Sequence, residues 1–287
     1  MLLPTLAFVT VFSYIPLSGW IIAFTDYRLG SNIFNNKFVG FKEFKYFFTG
    51  VNDAGYVIVN TIAMNLMATF CCIVAACVFA IMLAEVRNRS IKRSIQTLSF
   101  FPFFVSWVIT YNVFNSFLAV DSGVINNLLK LMGMKSGINF MGNPAYSWGL
   151  MIFVNIWKYI GYDSVIFLAA IAGIDQEQYE AAGIDGAGRM AKIIYITLPA
   201  LIPTIVMILV LNSGWIFRAN FEQFFLFYNR SNWSKMEVLD IYIYRYGLRQ
   251  LDFSYATAVG IIQTFASLIM VFTVNYVAKK LRGQSIM

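Results

Sequence analysis

An all-α membrane protein with six transmembrane helices is the fold class that the sequence predicts, on three observations. Hydrophobic residues fill 59% of the 287 positions, and the mean hydropathy is +0.68. Charged residues fill only 12%, about half the share usual in a soluble domain. The apolar residues gather into runs of roughly 20 or more, the length that crosses about 30 Å of hydrocarbon, and most charges lie between those runs.

The first run, at about 2–24, is longer than the apolar core of a secretory signal. No small-residue cleavage site follows it, so it reads as a retained span. The second, at about 57–84, encloses Cys71, Cys72 and Cys77. These read as small lipid- or core-facing residues, and without histidine the chain offers no Cys/His metal constellation and no disulfide framework. The third, at about 95–118, follows the basic knot Arg87, Arg89, Lys92 and Arg93. The fourth, at about 147–172, carries Lys158 and Asp163. The fifth, at about 200–217, is introduced by Leu198-Pro199, and the sixth, at about 255–278, ends at Lys279, Lys280 and Arg282. Pro4, Pro16, Pro102 and Pro203 fall in or beside these runs, which membrane helices tolerate when neighbouring helices satisfy the freed carbonyls. With no repeat, low-complexity tract or linker, residues 1–287 read as one transmembrane domain.

The net charge of +7 does not point to nucleic acid, because the basic residues form knots between spans rather than one soluble face. They read as topology determinants beside anionic lipid headgroups. The densest knot, at 87–93, and the basic C-terminus place both termini and the 175–199 segment on the cytoplasmic side. The external segments, of about 32, 28 and 37 residues, are too long for tight turns. Their aromatics (Phe41, Phe44, Tyr46, Phe47, Trp233, Tyr242, Tyr244, Tyr246) suit docking to another protein. The stretch from Asp240 to Leu248 is compatible with either strand or helix.

Between spans four and five, Asp175-Gln176-Glu177-Gln178 predicts a helix start by a reciprocal capping box between Asp175 and Gln178. Gly183 and Gly186 allow a bend soon after, so two short helices along the membrane surface are expected. Glu180, Asp185, Arg189 and Lys192 give this element a charged face, and Tyr179, Ala182, Ile184 and Met190 could fit an apolar cleft of a partner.

Glu180-Ala181-Ala182, Gly186, Ile196, Leu198 and Pro199 have the spacing EAA, three residues, G, nine residues, I-x-L-P. This pattern resembles the cytoplasmic loop of the membrane subunits of bacterial ABC importers. The runs SYIPLSGWIIAFTDYRLG, FVGFKEFKYFF, VIVNTIAMNL, FEQFFLFYN and EVLDIYIYRYGL resemble permeases of the polysaccharide/oligosaccharide subgroup of carbohydrate importers. The resemblance implies a type I importer permease in the bacterial cytoplasmic membrane. It implies a second permease subunit, preferably a different one, two cytoplasmic ATPase subunits and an extracellular sugar-binding protein. It also implies that Glu180, Ala181, Ala182, Gly183, Asp185, Gly186 and Arg189 couple this chain to the ATPase. The chain carries no G-x-x-x-x-G-K-[ST] loop. It is therefore expected to bind no cofactor and catalyse no reaction, with ATP and magnesium held by the partner ATPase.

A sugar path needs amides for hydroxyls and aromatic rings for C–H faces. The candidates are Tyr111 and Asn115 on span three; Asn155, Trp157, Lys158, Tyr162 and Asp163 on span four; and Asn212, Trp215 and Asn220 at the end of span five. A Lys or Asp at mid-bilayer costs roughly 2.5–3.5 kcal/mol, so Lys158 and Asp163 should face a bundle interior or water. Five residues apart on a helix, they point away from each other, and at least one needs a partner on another helix or subunit. Two rival readings are an importer permease for a non-sugar cargo such as peptide, and an ATP-independent secondary transporter. The latter predicts inverted repeats with broken helices, and none is legible.

Overall fold

The computed structural model describes residues 2–50 and 53–282, and its long elements are all helices. In chain order they are α1 (Leu2–Phe24), α2 (Lys42–Thr49), α3 (Ala54–Ala84), α4 (Arg89–Phe104), α5 (Trp107–Leu118), α6 (Val124–Leu131), α7 (Pro144–Ala172), α8 (Gln176–Ile184), α9 (Arg189–Ser213), α10 (Phe221–Phe227), α11 (Trp233–Met236), α12 (Leu239–Tyr244) and α13 (Phe253–Arg282). Among the described residues the only β pairing is a bridge between Thr25 and Phe38. Five helices, α1, α3, α7, α9 and α13, are long and apolar enough to cross a membrane, and α4 with α5 supplies a sixth span in two pieces.

Local chemistry sets many of the helix starts. Asn88 caps α4 by accepting from the Ser90 and Ile91 amides, Ser106 caps α5 through the Ile109 amide, and Asn143 caps α7 just ahead of Pro144. Each side-chain oxygen takes up an amide that the first turn leaves unpaired.

The third span departs from the expectation of an unbroken run at 95–118. Its two halves meet at 106° across Val105 and Ser106. Pro102 removes one helical hydrogen bond and crowds the preceding turn, while Val105 and Ser106 adopt extended backbone. The bent pair is a broken span or a re-entrant loop, so the expected lack of broken helices does not hold and no longer counts against a secondary transporter.

The fifth span also differs. It begins at Arg189, earlier than about 200, and runs through one wider π turn at Ile193–Thr197 before continuing to Ser213. The second of the two expected surface helices is thus the leading end of the span itself.

The core lies between α3 and α7, with α4 and α9 packed against α7 and α13 against α9. Gly161 of α7 permits the α4 contact: a Cβ there would stand 2.1 Å from the Ser99 carbonyl oxygen. One turn away Phe103 and Tyr162 stack, with ring centroids 4.2 Å apart.

The external segments fold on themselves. Phe47 and Tyr242 are fully buried, so these two pack the segments and are not available for docking. The stretch left open between strand and helix is helical, α12 followed by a π turn at Arg245–Arg249. Met1 and the Arg282 side chain lie outside the described residues and side chains.

Candidate functional site

The 175–199 segment forms a braced lever rather than a free loop. Asp175 caps α8, but through the Glu177 amide at 3.0 Å. The Gln178 amide donates to the Asp175 backbone carbonyl instead, at 3.3 Å. The reciprocal box therefore does not form, since one carboxylate on the nearest amide already satisfies the cap. Gly186 has φ +80°, a left-handed conformation that ends α8 and that L side chains resist. Lys192 donates to the Tyr179 carbonyl at 2.7 Å, and the Tyr179 hydroxyl meets the Thr197 hydroxyl at 2.8 Å. These bonds tie α8 to the first turns of α9, so Tyr179 and Lys192 serve the brace, not a partner-facing surface. Outside the brace, Glu180, Ala181, Gly183, Asp185, Gly186 and Arg189 are exposed, Ala182 is half-buried, and Ile184 and Met190 present bare apolar side chains.

At its other end α9 stops at Ser213 and the chain runs without regular helix to Asn220. Unpaired backbone at membrane depth persists only where protein groups or water satisfy it, and here side chains from three elements do so. The Asn65 amide donates to the Ile216 carbonyl at 2.9 Å, and the Gln263 amide to the Phe217 carbonyl at 2.7 Å. Asp240 accepts from the Ala219 amide at 2.8 Å and from Gln263 at 3.1 Å. Burial pushes the Asp240 carboxyl above its ordinary range, and the Ala219 and Gln263 hydrogen bonds offset part of that.

This irregular turn forms one wall of a cavity of about 590 Å³. Helix α3 contributes Asn65, Thr69 and Cys72, α7 contributes Asn155, Tyr159 and Asp163, and α9 contributes Asn212. The break adds Trp215, Arg218 and Asn220, with Gln223 just beyond. The lining thus combines amides, hydroxyls, a carboxylate, a guanidinium and an aromatic face, a set suited to a polyhydroxylated ligand.

The structure brings Asn155, Asp163, Asn212, Trp215 and Asn220 together in this cavity and places the other candidates elsewhere. Tyr111 packs edge-on against Phe227, and Asn115 is outside the lining. Trp157 packs edge-on against Phe114 and faces a shallower groove beside α4. Tyr162 stacks on Phe103. Lys158 is buried and turned to the α4–α5 break, where its ammonium donates to the Pro102, Phe103 and Val105 carbonyls. It is the expected partnered charge, but its partners are backbone carbonyls that the bend exposes. Asn65 and Thr69 were not legible as site residues, although with Cys72 they share one face of α3 at helical spacing.

A family model described as "Binding-protein-dependent transport system inner membrane component" matches residues 72–283. Protein LplB of Bacillus subtilis (strain 168) is 38% identical over 280 residues, covering 98% of this chain and 87% of its own. The polygalacturonan/rhamnogalacturonan transport system permease protein YteP of the same strain is 38% identical over 289 residues, covering 100% and 88%. A chain of the bacterial alginate ABC transporter, crystallised in complex with alginate pentasaccharide-bound periplasmic protein, superposes with a TM-score of 0.90. That chain is 32% identical, with 100% of this chain and 95% of that one covered.

Proposed function

The chain belongs to the family of inner membrane components of binding-protein-dependent transport systems, and from that premise we propose that it is the permease subunit of an ATP-driven importer of oligosaccharides or polysaccharide fragments. The observation that carries this reading is the course of α9. One end of that helix is braced to the exposed EAA-bearing helix α8, and the other end breaks into the wall of the polar cavity. A push on α8 is therefore delivered along one rigid element to the cavity.

In this reading both termini and α8 are cytoplasmic. Two ATPase subunits dock at Glu180, Ala181, Ala182, Gly183, Asp185, Gly186 and Arg189, and hold the ATP and magnesium. A second, different permease subunit closes the open side of the cavity, and an extracellular binding protein delivers the sugar. Asn155, Asp163, Asn212, Trp215 and Asn220 line the sugar's route, joined by Asn65, Thr69 and Tyr159. Nucleotide binds the two conformations of the assembly with different affinity, and that difference drives the switch between inward- and outward-open states.

The test is co-expression with the neighbouring permease and ATPase subunits, purification through a tag on this chain, and assay of ATP hydrolysis with a sugar-loaded binding protein. The ATPase should co-purify and be stimulated by loaded binding protein. Gly186→Val, which forces a β-branched residue into left-handed backbone, should lower that stimulation about tenfold or more. Full stimulation and uptake with Gly186→Val and Glu180→Ala would remove the coupling assignment.

A further inference from the structure

Resting on the reading above, we propose that Arg218 makes this permease select sugars that carry carboxylate groups, that is, oligosaccharides of uronic acid residues. Arg218 sits in the irregular turn after α9, exposed, at the wall between the main cavity and a second one of about 590 Å³ beside α12 and α13. It is the only Lys or Arg among the described residues that line the main cavity. Lys158, the cation within the α7 span, is committed to the carbonyls of the α4–α5 break.

The guanidinium of Arg218 makes no hydrogen bond and no ion pair within 4.0 Å among the described residues. Asp240 is near enough to feel its charge, but one Asp240 oxygen already accepts from the Ala219 amide and from Gln263. Asp240 thus positions the turn that carries Arg218, whose side chain lines both cavities. A planar guanidinium fits a carboxylate with two parallel hydrogen bonds, and it does so best where water is partly excluded.

Three residues before it, Trp215 is 62% exposed and supplies a ring for the apolar face of the same sugar. On the α7 wall Asp163 presents a like charge to any acidic cargo. An acidic sugar is therefore held with its carboxylate toward Arg218 and its hydroxyls toward Asp163, Asn155 and Asn212. A neutral sugar offers the guanidinium no carboxylate of its own to pair with.

The complete transporter, with its own binding protein, separates this proposal from the broader reading. Uptake of a short oligouronide and of the same oligomer with its carboxyls reduced to alcohols is measured in proteoliposomes, for wild type, Arg218→Gln and Arg218→Lys. The binding protein is constant across the variants, so a change in the ratio of acidic to neutral uptake belongs to the permease. Arg218→Gln should lower that ratio about tenfold, and Arg218→Lys, which keeps the charge but not the fork, should fall between. An unchanged ratio, or parallel loss of both cargoes, overturns the role of Arg218. A wild type that takes up only the neutral oligomer overturns the cargo class while leaving the importer intact. A wild type without ATP-driven sugar uptake overturns both.

Discussion

At the scale of single residues, Lys158 and Gly161 serve one joint between α4 and α7. Lys158 holds the carbonyls that α4 loses at its bend, and Gly161 lets α4 approach closely enough for that contact. Gly161→Ala should therefore lower the thermal stability of the purified protein by about 1–3 kcal/mol, the usual effect of overpacking. Gly149→Ala on the same helix, with nothing within 4 Å of its added Cβ, should leave it unchanged or slightly raised, because alanine favours the helix more than glycine does. Equal melting temperatures for the two variants would mean that α4 and α7 part freely at this contact. The need for Lys158 to find a partner was legible from its place in an apolar run. The partner itself was not, because the Pro102, Phe103 and Val105 carbonyls come free only when the span bends. Asn65 escaped notice for a similar reason: its role is to satisfy a backbone turn that sequence places over a hundred residues away.

Whole elements were easier to read than their joints. Four span positions agree with the apolar runs to within a few residues, while the third is broken beside Pro102 and the fifth starts earlier, at Arg189. The external segment between α10 and α13 was read as a docking surface for its aromatics, yet part of it is built around a buried charge. Glu237 is fully buried, accepts from the Tyr56 hydroxyl at 2.5 Å and pairs with Arg245 at 2.9 Å. Burial raises its carboxyl above the usual 4.5, and the Tyr56 hydrogen bond and Arg245 charge oppose this without reversing it. A carboxyl raised on folding binds its proton more tightly in the folded state, so its contribution is greatest below about pH 4.5 and declines as pH rises through the raised value. Wild-type stability should accordingly fall relative to Glu237→Gln as pH is raised from 4.5. The difference in slope of melting temperature against pH is the readout. A wild-type curve that climbs over that window relative to the variant would show the Arg245 pair outweighing burial.

For the molecule as a whole, the proposed reading makes the cavity and α8 two ends of one device. The cavity reaches Ile166 and Phe167 on α7, within about two turns of the end of that helix, and α8 follows at Gln176. The cavity therefore extends toward the α8 end of α7, which on the proposed reading is the cytoplasmic side. Cys72 lines it and is half-buried, which supplies a reporter that needs no new side chain. With Cys71 and Cys77 replaced by alanine, a water-soluble maleimide added from the cytoplasmic side should label Cys72 in the nucleotide-free complex. The same reagent should react far more slowly when ATP is trapped on a hydrolysis-deficient ATPase partner, because closing the α8 side must shut this route if α9 carries the motion. Labelling that ignores nucleotide would separate the cavity from the lever and leave α9 a passive wall. Nucleotide-dependent labelling that vanishes in Gly186→Val would join them, since that substitution touches α8 and not the cavity.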